Sequence, residues 1–112
     1  EFNEKGGLDG RKVVIVPADD KGDPKESATV AQKLVNDQDV VAIVGHNFSA
    51  AVLTAAPIYQ REGLPHVVVT ASNPKIPDIG DCIFTISLND NQISYKMADF
   101  AVLEMGWKMI TA

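Results

Sequence analysis

Short β-branched apolar runs alternate with helix-period stripes along this chain, and that alternation limits its fold more than any other feature. The runs are Val13–Val16, Val40–Val44, His66–Val69 and Ile83–Ile86. Runs this short, rich in Val and bounded by turn residues, read as strands buried on both faces of a parallel sheet. Between them lie Ala28, Ala31, Leu34 and Val35, then Val52, Leu53, Ala56 and Tyr59, then Ile93, Met97, Phe100 and Ala101, each set spaced to form one helix face. Lys108–Thr111 reads as the start of a fifth strand. The order β-α-β-α-β-loop-β-α-β predicts an α/β fold, a doubly wound parallel sheet with right-handed crossovers.

Local signals place the helix ends. Asp23-Pro24-Lys25-Glu26 combines an N-cap, a proline at the first helical position and a glutamate placed to complete a capping box. That helix is expected to end by Asn36-Asp37. Ser49 is expected to N-cap a second helix that bends at Pro57 and stops at Gly63. Asn89 with Gln92 offers another capping box, with Gly106 as the stop.

In an open parallel sheet, ligands settle outside the carboxyl ends of the strands. Two loops occupy that position, Gly45-His46-Asn47-Phe48-Ser49 and Thr70-Ala71-Ser72-Asn73-Pro74. Both offer hydroxyls and backbone N–H groups. At a helix start, Ser49 either caps or, with first-turn N–H groups and the positive end of the dipole, holds an anion. Ser72 has the same two readings, since Ser72-Asn73-Pro74 also suits a plain turn, and Thr70 suits a strand end.

Other chemistries find little support. His46 lies near Ser49, but no G-x-S-x-G elbow surrounds them, so His46 reads as a hydrogen-bonded loop residue and no catalytic residue is assigned. Asp19-Asp20 lacks the further converging oxygens a hard cation needs and reads as a surface turn, so no metal is expected. No G-x-G-x-x-G follows a strand, and no cofactor is expected. A formal net charge of −5 with scattered basic residues argues against nucleic acid. No apolar stretch approaches the roughly 20 residues that span a bilayer. Cys82, the single cysteine, has no intrachain partner and reads as a small buried residue near a strand.

Several segments together resemble one family: Lys5-Gly6-Gly7-Leu8-Asp9-Gly10-Arg11-Lys12-Val13, Asp19-Asp20 followed by Asp23-Pro24, and Val41–His46 with Ser49. Ala55-Ala56-Pro57-Ile58-Tyr59, Gly63-Leu64-Pro65 and Ala71-Ser72-Asn73-Pro74 continue the match in order. The chain is similar to the branched-chain amino-acid-binding type of periplasmic solute receptor that serves ABC transporters. The resemblance implies a type I periplasmic-binding fold, two-lobed like a Venus flytrap, of which this chain is a partial copy. Residues 1–88 would form part of lobe one, without its first strand, and residues 89–112 the start of lobe two.

By the same resemblance, Ser49 holds an amino acid's α-carboxylate through its side chain and N–H. Ser72 shares the ligand, and the backbone at Thr70 reaches the ammonium. Thr70, where Ala or Ser is frequent, and Asn47-Phe48 in the first loop depart from commoner members, and Phe48 is placed to shape the pocket for a larger or flatter ligand. The implied function is extracytoplasmic capture of an amino acid or related small carboxylate, periplasmic or at the cell surface, for delivery to an ABC permease. A sensor domain of the same fold is the second reading, and a flavodoxin-like or hydrolase-like enzyme the third. Glu1–Lys5 reads as the last turn of a helix stopped by Gly6-Gly7, which predicts a chain cut from something longer. The resemblance puts the missing strand between Val13–Val16 and Val40–Val44, leaving edges that predict an exchanged-segment dimer or a longer polypeptide.

Overall fold

The computed structural model describes residues 1–108. Three helices and three short strands carry the architecture: α1 (Pro24–Val35), β1 (Ile43–Val44), α2 (Ser49–Arg61), β2 (His66–Val68), β3 (Ile83–Thr85) and α3 (Asp90–Asp99). The strands form one parallel sheet in the order β1-β2-β3, with Ile43 opposite His66 and His66 opposite Ile83. A parallel pair needs a crossover, and α2 supplies it between β1 and β2. The β2–β3 connection instead runs through a single 3₁₀ turn at Pro77–Ile79.

Asp23 caps α1 by accepting from the N–H groups of Lys25 at 2.8 Å and Glu26 at 3.1 Å. The reciprocal half of the expected box is replaced. The Asp23 N–H already donates to the Asp20 carbonyl, and Glu26 turns to Lys21 instead. At α3 the box is complete, Asn89 and Gln92 each bonding the other's backbone at 3.0 Å.

α2 is the hub, because its buried residues serve both core clusters. Val52 and Ala56 pack with Val68, Ala71, Ile76 and Ile83, while Ala55 and Tyr59 pack with Ala31 of α1 and Ile43 of β1. Small residues at 31 and 55 let the two helices approach closely. Pro57 lies inside α2 on its exposed side.

Three expectations are corrected. Val13–Val16 is not a buried strand. It is exposed and outside the sheet; the Asn3 side chain, accepting from and donating to Val13 at 2.8 Å, substitutes for a ladder there. The apolar stripe of α3 is not core either: Met97 and Phe100 are exposed, and only Ala101 just beyond the helix is buried. Cys82 is half-buried rather than buried. Apart from Lys108, the fifth strand expected at Lys108–Thr111 lies outside the described residues.

Candidate functional site

β1 and β2 are parallel neighbours, so the loops after them leave the same edge of the sheet. The Gly45 N–H extends the ladder by one bond to the Val67 carbonyl at 3.1 Å, and Gly45 then turns away at φ +132°. Thr70 ties the two loops together. Its hydroxyl lies 2.9 Å from the Asn47 carbonyl and 2.6 Å from the Asn47 side-chain oxygen. Asn47 and Thr70, expected in one site from sequence, therefore meet.

Ser49 is the first residue of α2 rather than its cap. Phe48 occupies the N-cap position and offers no capping side chain, so α2 begins without the side-chain acceptor that α1 and α3 both have. First-turn N–H groups have no intrahelical partner. Ser49, half-exposed, opens this first turn. This is a donor-rich end suited to a carboxylate. Phe48 itself is 58% exposed.

Ser72 is half-buried and lines a hollow of about 390 Å³ with Thr85, Ser87, Asn89 and Gln92. Its carbonyl accepts from the Asp90 N–H at 2.8 Å, which fastens the second loop to the start of α3. A second hollow, about 520 Å³, runs between the Val13–Val16 segment and the Val40–Val44 segment and ends at Asp19, Asp20 and Asn47. Ser49 lines neither of these two hollows.

Sequence reasoning missed a buried polar chain behind the first loop. His46 Nδ1 lies 2.5 Å from Asp20 Oδ2, and His46 Nε2 lies 3.0 Å from the Tyr59 hydroxyl. Asp20 is thus no surface turn residue. Burial pushes its carboxyl up, but the bonds from His46 and from the Gly22 N–H outweigh that and hold it below the usual carboxylate range. The carboxylate accepts from His46 Nδ1–H, and the Tyr59 hydroxyl shares the hydrogen bond at Nε2. Burial, aided by the nearby Asp20 charge, pushes the Tyr59 phenol up to about 12, so it keeps its proton. Both ring nitrogens of His46 are committed to Asp20 and Tyr59, and neither bond goes to Ser49. A Ser–His hydrolase has no geometric basis here. The Asp20–His46 separation of 26 residues hid the pair, and no local signal in the sequence marks His46 as buried.

Among the described residues, no group of three or more His, Cys, Asp or Glu side chains is placed to hold a metal ion. No helix there is long and apolar enough to cross a membrane.

Two hydrogen-bonded polar loops and an uncapped helix start thus lie outside the carboxyl ends of parallel strands, the place where open α/β sheets take ligands. The profile of the periplasmic binding protein family matches residues 1–112, and the chain belongs to that family. It is 39% identical over 80 residues to the leucine-specific-binding protein of Salmonella typhimurium, covering 71% of this chain and 21% of that one. An ABC transporter substrate-binding protein from Desulfitobacterium hafniense, solved in complex with Leu, superposes with a TM-score of 0.86 at 29% identity, over 92% of this chain and 31% of that one. A solute-binding protein of an ABC transporter from Rhodopseudomonas palustris, solved with 3,4-dihydroxy benzoic acid, gives 0.83 at 26% identity, over 92% and 29%. The chain therefore spans less than a third of the length of each of these relatives.

Proposed function

We propose that this chain is part of a solute-binding protein that captures an amino acid or related small carboxylate and delivers it to the membrane permease of an ABC importer. The compartment is the periplasm or the outer cell surface, as the family's description suggests. Residues 1–88 belong to one ligand-binding lobe and residues 89–112 begin the other. Ser49 and the open N–H groups of α2 hold the carboxylate, Thr70 and Ser72 complete the polar contacts from the second loop, and Asn47 and Phe48 form the remaining wall. The observation that carries this reading is the start of α2: it alone among the three α-helices of the described residues has no side-chain cap, and it opens at the carboxyl end of β1. Capture involves no covalent chemistry, and ligand-dependent closure of two lobes supplies the signal the permease reads.

The test is calorimetry on the intact parent protein with leucine, other amino acids and aromatic carboxylates. Ser49→Ala is expected to weaken the best ligand by about 1–3 kcal/mol, the cost of leaving a charged acceptor short of a donor. Unchanged affinity would remove Ser49 from the site. Where this chain stands alone, the groove beside Val13–Val16 is filled by an exchanged segment of a second copy.

A further inference from the structure

The turn Asp19–Gly22, which precedes α1, touches the first ligand loop at two points. One is the Asp20 bond to His46, whose ring is 6% exposed and is held at its other nitrogen by the fully buried Tyr59. The other is Gly22. A Cβ built there meets two atoms of the Phe48 ring at 3.0 Å, so the Gly22 backbone lies directly against that ring. The turn is itself rigid. Lys21 N–H donates to Asp19 Oδ1 at 2.8 Å, Gly22 N–H to Asp20 Oδ1 at 2.9 Å, and Asp23 N–H to the Asp20 carbonyl at 2.9 Å. Lys21 and Gly22 both sit at positive φ, 54° and 66°. Asp20 therefore spends one carboxylate oxygen on the turn and the other on the loop. His46 and Phe48 are two residues apart, so fixing one and backing the other sets the loop's path into α2.

We propose that the Asp19–Gly22 turn, keyed to His46 by Asp20 and seated on the Phe48 ring by Gly22, fixes where Phe48 stands and so sets the width of the ligand site. Asp20, Gly22 and His46 are positioning residues; none touches the ligand. Phe48 is more than half exposed, and a free phenyl group in that position would swing. With Gly22 behind it, the ring has a floor that any larger residue at 22 would lift.

The claim that Phe48 borders a ligand rests on the function proposed above; the claim that the turn positions Phe48 does not, and the two are tested separately. In the intact parent protein, 4-fluorophenylalanine placed at position 48 gives a ligand-free ¹⁹F resonance. Asp20→Asn keeps the shape and removes the charge, and Gly22→Ala adds the Cβ. Each is expected to shift or broaden that resonance while the fold, read by circular dichroism, persists. An unmoved resonance in Asp20→Asn overturns the proposal, and that variant carries the test alone if Gly22→Ala does not fold. Affinities for leucine and 3,4-dihydroxybenzoate then read the site. Gly22→Ala is expected to change their ratio by about tenfold, the discrimination a methylene-sized change in a pocket gives. Phe48→Leu should change it too, and the double variant should add nothing to Phe48→Leu. Equal loss for both probes would mark a general structural role and overturn the specificity claim. If neither probe binds the parent while the resonance still responds, the function proposal is weakened and the positioning claim stands.

Discussion

His66 donates through Nε2 to the Gly45 carbonyl at 2.6 Å, while its Nδ1 is buried with no partner among the described residues. An imidazolium there would bury an unpaired N–H and a charge. Burial pushes His66 down to about 4, the Gly45 bond opposing and His46 adding to the shift. Because the folded value lies below the unfolded 6.5, the unfolded chain takes up the proton first as pH falls. Stability is therefore full above about pH 6.5 and declines toward pH 4, by on the order of 3 kcal/mol in all. His66→Gln keeps an N–H for Gly45 and removes the titration. Its urea midpoint should be flatter between pH 7 and 4 than the parent's, and an equal slope would place the acid loss elsewhere. None of this was visible in the residues themselves. A histidine opening an apolar run was legible as part of a strand; its depth and its carbonyl partner 21 positions away were not.

At the scale of elements, what the sequence conveyed was what is local. Asp23-Pro24 and Asn89/Gln92 announce helix starts because a cap and its acceptors lie within three residues, and both helices begin there. Ser49 was misplaced by one residue because Phe48 took the extended cap geometry instead. Val13–Val16 was misread because β-branched apolar residues favour extension, yet a strand exists only when a distant partner supplies its ladder. The β2–β3 connection shows the same dependence on distance. It carries no α-helix, and the fully buried Ile76 anchors it to Val52, Val68 and Ile83. Ile76→Ala should cost about 2–5 kcal/mol in chemical denaturation of the intact parent. Met97→Ala on exposed α3 should stay within about 0.5 kcal/mol. A larger effect at Met97 would mean that α3 is covered in the intact protein.

The whole molecule is drawn out. Its radius of gyration is 17.9 Å, against about 13 Å for a compact domain of roughly this length. Two apolar surfaces are left open: the face of α3, and the groove whose walls include Ile15 at 87% and Val41 at 79% exposure. Exposed apolar area on that scale marks an interface. The 112-residue chain expressed by itself should enhance the fluorescence of the dye ANS and sediment as more than one copy. A monomer that leaves the dye dark would show the groove already closed. The parallel sheet was legible at this scale from the order of runs and stripes; the open groove followed from the family resemblance, not from any single residue.

The exposed run has a further consequence, for the chain before it folds. Val13–Val16 is a compact patch of strong β-formers with no charge inside it, the composition that nucleates intermolecular cross-β stacking. Arg11 and Lys12 stand immediately before it and Pro17 immediately after. Two like charges repel a stacking neighbour, and a proline without an N–H breaks the ladder that a growing fibril would propagate. Flanks of this kind act as gatekeepers against such stacking.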